Sequence, residues 1–328
     1  MNSGLHRRRL ITSVLAAAAV PQFCWAQAYP TRPITIVIPY SPGGGSDALV
    51  RTAGARMAEL LGQPIVIDNR PGASGLLAAR QVARQQPPDG YTVFFGGPGH
   101  YAINQSLFRN MPYNPGELVP VTIAGQLPFV IVVNPQLTPV RNFQELIDLS
   151  KRSPDGLTYG TTGSGTQPHL MMLLLERQTG LRLKPIPYKG AGPILQDLIG
   201  GHVQISALDF GTVAGQLQSG GVRAIAVSSP ERVSGFPDIP TLSESAVANF
   251  SVTGWYGFAV RVGTPRPIVE RLATAYAEAV ADPTVRRKIS EQHIRPMFGT
   301  PKEFANLILS ETERYAKVIR DAGIPVQE

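Results

Sequence analysis

Three glycine-rich loops carry the groups best suited to binding a small anion. Each loop follows an apolar run typical of a buried strand and precedes a run typical of a helix. Glycine lets the backbone approach a ligand closely, hydroxyls add donors, and a helix N-terminus presents unpaired amides with a partial positive charge. We therefore predict an anion cradle, although the glycines of any single loop could serve only to form a tight turn. The loops comprise Pro42, Gly43, Gly44, Gly45, Ser46 and Asp47; Thr161, Thr162, Gly163, Ser164, Gly165 and Thr166; and Lys189, Gly190, Ala191 and Gly192.

In the first loop, Ser46 is predicted to cap the helix that follows, with Asp47 in the first helical turn, where a carboxylate interacts favourably with the helix dipole. The backbone amides of residues 44–47 would then face the ligand. The alternative for Asp47 is a role in stabilising the helix alone. Four aromatic residues beside strands are candidates for the wall of the site, with core packing as the alternative: Tyr40, Tyr101, Phe210 and Trp255.

Asp209 is a further candidate because it follows the apolar run 203–208. Ligands of open α/β sheets bind beyond the carboxyl ends of the strands, so this residue should face the site. Its carboxylate would repel an anionic group but could accept a hydrogen bond from a hydroxyl, an ammonium group or a bridging water. We predict that it selects the far end of the ligand, unless it only caps a helix that starts near Gly211 and Thr212.

The first loop also contains a dinucleotide-binding pattern, Gly43-x-Gly45-x-x-Ala48, with Asp68 about 20 residues further on, as the fingerprint requires. An exported NAD(P)-dependent oxidoreductase is therefore an alternative function. Residues 39–42 stand between the strand and the glycines and lengthen a turn that the fingerprint keeps tight.

Other catalytic patterns are weak. Thr162 and Thr166 occupy the outer positions around Gly163-Ser164-Gly165, so the nucleophile elbow G-x-S-x-G is not formed. The four histidines beyond residue 28 lie far apart without metal-ligand spacing, and His169 is expected to pack or cap rather than act in catalysis. We predict a protein that is not an enzyme, with no metal and no cofactor.

Apolar runs typical of strands alternate with amphipathic runs typical of helices, which predicts an α/β fold with parallel strands, right-handed crossovers and helices on both faces. Residues 129–134 and 252–260 are predicted to be extended segments that connect two lobes. The first lobe would then be discontinuous, with residues 29–126 and 254–328, and the second would comprise residues 127–253. The predicted strands are 34–38, 64–68, 92–95, 157–160, 183–187, 203–208 and 223–227; the predicted helices are 48–61, 75–84, 101–108, 142–151, 168–179, 193–199 and a closing helix from Thr300 to Gly323.

The 328 residues carry a formal charge of +7, but no basic run with interleaved aromatic residues is present, so we predict no nucleic-acid partner.

The first residues have the pattern of a signal peptide. Arg7, Arg8 and Arg9 precede the uncharged apolar stretch 10–20, and Ala26-Gln27-Ala28 supplies a small-x-small cleavage pattern. Residues 1–28 therefore read as a signal peptide that directs the protein to the periplasm. Ordinary secretion is favoured, with a twin-arginine signal as the alternative. The only cysteine, Cys24, lies in this segment, which excludes disulfides from the mature chain.

Six segments together carry a resemblance to a known family. In chain order they are PYSPGGGSDALVR (39–51), VIDNRPGASG (66–75), PDGYT (88–92), YGTTGSGTQPHL (159–170), PYKGAGPILQDLIGGHVQI (187–205) and PDIPTLSES (237–245). The chain resembles the substrate-binding proteins of tripartite tricarboxylate transporters, the Bug receptor family. Glu117-Leu118 and Gln167-Pro168 depart from the usual family residues and bear on fine ligand choice.

This resemblance implies a periplasmic binding protein of type II, with two α/β lobes and a ligand cleft between them. It also implies that backbone amides and hydroxyls of the glycine loops grip a small carboxylate, which is then delivered to a membrane permease, and that the receptor is a monomer. The ligand itself stays open among dicarboxylates, amino acids and aromatic acids.

Overall fold

A computed structural model describes residues 29–233 and 235–327. The predicted signal peptide, residues 1–28, lies outside these ranges. The first lobe begins with three parallel strands, in which β1 pairs with both β2 and β3. The helices α2 and α3 each adjoin a π-helical turn, at Gln81–Gln85 and Gly99–Ile103. The elements up to the first crossing strand are β1 (Ile34–Ile38), α1 (Gly45–Leu61), β2 (Ile65–Asn69), α2 (Leu76–Arg80), β3 (Thr92–Gly96), α3 (Asn104–Leu107) and β4 (Leu118–Val133).

The second lobe alternates strands and helices in the predicted order, with two helices, Phe210–Ser219 and Leu242–Ser245, beyond those predicted. Its first helix begins at Asn142, whose side chain accepts a hydrogen bond from the Glu145 amide, so the predicted N-cap is confirmed. The elements are α4 (Phe143–Arg152), β5 (Leu157–Thr161), α5 (Gln167–Thr179), β6 (Leu183–Pro187), α6 (Ala191–Ile199), β7 (Ile205–Asp209), α7 (Phe210–Ser219), β8 (Arg223–Val227) and α8 (Leu242–Ser245).

The chain then returns to the first lobe. Thr300 and Glu303 form the predicted capping box at the start of the closing helix. No helix within residues 29–233 and 235–327 combines the length and the apolar character that a membrane span needs. The last elements are β9 (Thr253–Arg261), α9 (Arg266–Ala281), α10 (Pro283–Ser290), β10 (Arg295–Pro296) and α11 (Pro301–Asp321).

Two long strands, β4 and β9, join the lobes. They run antiparallel to each other from the pair Leu118/Arg261 to the pair Pro128/Thr253. Beyond Pro128, β4 enters the second lobe and pairs antiparallel with β7 and β8, while β9 pairs antiparallel with β3 in the first lobe. The sheet is therefore mixed, and the prediction of parallel strands holds only for β1 with β2 and β3, and for β5 with β6 and β7.

Separate apolar clusters stabilise the two lobes. In the first lobe, α1 and α9 pack on one sheet face through residues such as Leu49, Ala53 and Tyr276. In the second, α4 and α5 pack on β4 and β5 around Phe143 and Leu170. The end of α11 contributes Tyr315 and Ile319 to this second-lobe cluster, so the closing helix contacts both lobes.

Candidate functional site

A small cavity lies between the lobes, where loops at the carboxyl ends of β1, β5, β6 and β7 converge. Its volume is about 50 Å³. A water molecule occupies roughly 10–15 Å³ on this measure, so the space suits a few water-sized groups or a compact ligand. Of the residues predicted for the site, those that line the cavity are Tyr40, Gly44, Ser46, Thr162, Thr166, Ala191 and Asp209.

The other predicted residues belong to the same loops but do not line the cavity. Their assignment to ligand binding stays a prediction. They are Pro42, Gly43, Gly45, Asp47, Gly163, Ser164, Gly165 and Gly190.

Several of these glycines touch the opposite lobe. The Ser41 hydroxyl donates to the Lys189 carbonyl oxygen at 2.9 Å, and a Cβ built on Gly190 would lie 2.7 Å from the same hydroxyl oxygen. A Cβ on Gly163 would lie 2.5 Å from the Ser74 hydroxyl oxygen. Since real Cβ atoms do not approach so closely, glycine at these positions allows the lobes to meet, and the cleft is closed.

Asp209 connects the N-termini of two helices from different lobes. Its carboxylate caps α7 by accepting from the Thr212 amide at 3.0 Å and from the Thr212 hydroxyl at 2.9 Å. The backbone amide of Gly45, at the start of α1, lies close enough to this carboxylate to lower its pKa. Burial raises the pKa of this carboxyl above its ordinary value, although the bonds from Thr212 and Gly45 lower it in part. The predicted capping role is confirmed, and the protein's own donors already occupy much of this carboxylate.

Asp47 lies in the first turn of α1, as predicted, and is buried. One carboxylate oxygen accepts from the Gly43 amide at 3.1 Å and from Arg51 Nε at 2.8 Å, and the other accepts from Asn69 Nδ2 at 2.9 Å. These bonds tie the first loop to α1 and to the end of β2. Burial raises the pKa of Asp47, but the bonds from Arg51, Asn69 and Gly43 outweigh this effect and hold it below the ordinary value.

The predicted cap by Ser46 is wrong. The N-cap of α1 is Gly44, in an extended conformation and without a side chain that could cap. Ser46 lies one residue inside the helix and lines the cavity. The first helical residue is thus Gly45 rather than Ala48, because the chain turns into the helix directly after two glycines.

We expect Asp47→Asn to lower the free energy of unfolding at neutral pH by about 1–3 kcal/mol. The Asp47 carboxylate only accepts hydrogen bonds, whereas the NH₂ group of asparagine would face the donors of Gly43, Arg51 or Asn69. The pKa of Asp47 is lower in the folded state than in the unfolded chain, so this stability is present above the unfolded pKa and is lost as the pH falls through the folded pKa. Denaturant titrations should therefore show the difference from wild type shrinking below about pH 4.

The exposed Asp148→Asn serves as the control for Asp47→Asn and should change stability by less than about 0.5 kcal/mol. Ligand affinity separates the two roles considered for Asp47. A stable Asp47→Asn protein that no longer binds ligand would contradict the structural role and support a direct contact.

The wall of the cavity contains Tyr40 and Tyr256, whose rings meet edge to face at 5.8 Å. Trp255, one residue earlier on β9, points to the other face of the sheet and packs on Tyr101 and Phe304. The core alternative is therefore confirmed for Trp255, Tyr101 and Phe210, which are all buried outside the cavity lining.

Two buried histidines flank the site without a catalytic arrangement. His100 lines the cavity, accepts from the Gly97 amide through Nδ1, and has a pKa lowered to about 4 by burial. His169 accepts from the Gly165 amide at 3.3 Å, and burial lowers its pKa to about 4 as well. Both imidazoles are therefore neutral at physiological pH, and His169 supports the second loop.

Sequence reasoning missed a fourth loop and several lining side chains. Ser74 belongs to residues 71–75, another glycine-hydroxyl cluster after a strand, so the signal used for the other loops was present there too. His100 had no comparable signal, whereas Gln167 and Pro168 were noted only as departures from the usual family residues that bear on ligand choice. The lining residues that were missed are Ser41, Ser74, Pro98, Gly99, His100, Phe129, Ala207, Leu208 and Tyr256.

The chemistry of the lining favours hydrogen bonding over charge pairing. No lysine or arginine lines the cavity, and Asp209 contributes the one carboxylate among the lining residues. Within residues 29–233 and 235–327, no group of three or more histidine, cysteine or acidic residues is arranged to hold a metal ion. The arrangement can bind an anion through amides and hydroxyls at helix N-termini.

The dinucleotide alternative requires an accessible N-terminus of α1, where a pyrophosphate would bind. In the structure the second lobe covers this position: a Cβ on Gly45 would lie 2.4 Å from Asp209 Oδ1, and a Cβ on Gly211 would lie 3.0 Å from the Gly45 Cα. Asp68, the predicted ribose ligand, pairs instead with Arg70 at 2.7 Å.

A family profile and a similar protein of known sequence match nearly the whole chain. The profile of the tripartite tricarboxylate transporter family receptor matches residues 49–324. Protein BugT of Bordetella pertussis is 33% identical over 311 residues, which cover 94% of this chain and 95% of BugT.

Two solved structures from Rhodopseudomonas palustris share the fold. Rpa4515 with adipate has a TM-score of 0.86 at 34% identity and covers 90% of this chain and 99% of its own. MatC with bound malate has a TM-score of 0.83 at 31% identity and covers 89% of this chain and 100% of its own. The similarity spans both lobes.

Proposed function

Because the chain belongs to the tripartite tricarboxylate transporter receptor family, which includes the Bug proteins, we propose that it captures a small carboxylate between its lobes and delivers it to the permease of such a transporter. This is a family of binding proteins, so the chain is a receptor and not an enzyme. The alternative of an NAD(P)-dependent oxidoreductase is therefore wrong, and the covered N-terminus of α1 gives the physical reason.

The closed cavity carries the proposal. Loops from both lobes surround it with backbone amides, hydroxyls and no cationic side chain. Two relatives of the same fold are described with adipate and with bound malate, both small carboxylates. A carboxylate fits such a lining because helix N-termini stabilise negative charge through amide donors, without a partner cation.

Within this function, the first and second glycine loops hold the ligand carboxylate from opposite lobes, with the third loop closing the site. The lobes comprise residues 29–126 with 254–328, and residues 127–253. The receptor works as a monomer in the periplasm after removal of residues 1–28, with no cofactor, metal or nucleic acid. The strands β4 and β9 support this division, since β4 pairs with β9 up to Pro128 and with β7 and β8 beyond it, and β9 starts at Thr253, at the boundary.

The test is a thermal-shift screen of residues 29–328 against small mono- and dicarboxylates. A ligand that binds only the folded state stabilises it by about 2.7 kcal/mol at a hundredfold excess over Kd, which raises the melting temperature by several degrees. The matched amide of each hit, adipamide for adipate, should give no shift because it lacks the charge. Saturable NADH binding with no response to any carboxylate would contradict the proposal.

A further inference from the structure

Gln167, a residue of the cavity wall, has a buried side-chain acceptor without a partner. This residue opens α5, lines the cavity and is only 3% exposed. Its side-chain nitrogen donates to the Thr253 carbonyl oxygen at 3.0 Å and to the Tyr315 hydroxyl at 2.6 Å. Its side-chain oxygen, Oε1, is fully buried and has no partner.

The orientation of this amide is determined by its partners. A backbone carbonyl can only accept a hydrogen bond, so Thr253 requires the NH₂ group of Gln167 on its side. The amide cannot be flipped without placing two oxygens against each other. Oε1 is therefore held as the free end of a fixed amide, and a buried acceptor in this situation is costly unless a donor reaches it.

Its neighbours in the lining do not supply that donor. The Thr166 hydroxyl donates to the Gly163 carbonyl oxygen at 2.8 Å, and Pro168, the next residue of α5, has no N–H. His100 Nε2 is the other buried side-chain atom of the described lining residues without a partner, and it faces Gly75, where a Cβ would lie 2.2 Å away. A ligand bound in the cavity can supply the missing donor.

We propose that Gln167 makes this receptor selective for carboxylates that carry a hydroxyl or ammonium donor on the carbon chain, over otherwise identical carboxylates that lack it. The inference rests on the proposed function of carboxylate binding and specifies the ligand class. It follows from an acceptor that is buried, fixed in orientation and part of a residue that lines the cavity. A site built to accept from a ligand donor rejects the analogue without it, because the acceptor is then left unpaired.

The test compares dissociation constants by calorimetry for matched ligand pairs: succinate with malate and aspartate, and adipate with 2-hydroxyadipate and 2-aminoadipate. In wild type, a donor-bearing member of a pair should bind at least about tenfold more tightly. Gln167→Met removes Oε1 at similar length and should bring this ratio close to one. The ratio within one variant cancels any general loss of stability.

Equal binding of both members of every pair in wild type, or an unchanged ratio in Gln167→Met, would overturn the inference while leaving carboxylate binding intact. Failure of every carboxylate to bind would instead overturn the proposed function and the inference with it.

Discussion

Gly45→Ala is expected to weaken binding of every ligand, because it prevents the lobes from closing. A Cβ on Gly45 would lie 2.4 Å from Asp209 Oδ1 and 3.1 Å from Leu127 Cδ2. Gly45 is the first residue of α1 and has no positive φ, so alanine can adopt its backbone conformation and the open lobe is not strained. Overpacking of this kind costs about 1–3 kcal/mol, which corresponds to roughly a 5- to 150-fold loss of affinity.

Gly215→Ala is the matched control for Gly45→Ala. Gly215 lies in α7, and a Cβ there would meet no atom within 4 Å. We expect unchanged affinity and a gain in stability of about 0.5–1 kcal/mol from helix propensity. Small-angle scattering gives an independent readout, since ligand should contract the wild type and Gly215→Ala but not Gly45→Ala. Wild-type affinity in Gly45→Ala would show that this contact does not limit closure.

The predictions that succeeded rest on signals within a short stretch of chain. Residues 34–38 form a strand because they are continuously apolar, and Asn142 and Thr300 cap helices because an acceptor stands three residues before a glutamate. The glycine loops were located in the same way, by composition after a strand. The helix Arg266–Ala281 was not predicted, although its apolar residues recur at helical spacing after a proline.

Such local signals could not predict the contacts that assemble the site, because these contacts join residues far apart in sequence. Ser41 meets Lys189, Gly45 meets Asp209, and Gln167 is oriented by Thr253 and Tyr315. None of these pairs follows from local periodicity. The choice between Trp255 and Tyr256 as the cleft residue depends on the register of β9, which its pairing with β3 and β4 determines.

Asp209 shows why the role of a single acid is hard to assign from sequence. Its position at the end of an apolar run predicted either ligand selection or a helix cap; in the structure it lines the cavity and caps α7. The choice between capping and ligand selection depends on how much of the carboxylate the protein itself occupies. Bonds from Thr212 and the nearby Gly45 amide favour a cap that also joins the lobes, whereas the buried side-chain oxygen of Gln167 has no partner in the protein.

Asp209→Ala should therefore lower stability and weaken all ligands by the same factor. Loss of a helix cap costs about 1 kcal/mol, and an unpaired buried donor adds about 1–3 kcal/mol. The cost of the unpaired donor falls on the closed state, because the Gly45 amide lies beside Asp209 only when the lobes meet. Affinity should fall roughly 5- to 150-fold for malate and succinate alike.

Asn142→Ala is the control for Asp209→Ala, because it removes an N-cap of the same lobe at the exposed start of α4. It should cost about 1 kcal/mol of stability by denaturant titration and leave every dissociation constant unchanged. The ratio of affinities for malate and succinate then decides between the two candidates. If Asp209→Ala removes the preference for the hydroxyl, the carboxylate itself reads the ligand. If only Gln167→Met removes this preference, Asp209 controls closure of the lobes and Gln167 controls the choice of ligand. Closing the lobes stabilises every bound carboxylate equally, whereas a fixed acceptor stabilises only carboxylates that carry a donor.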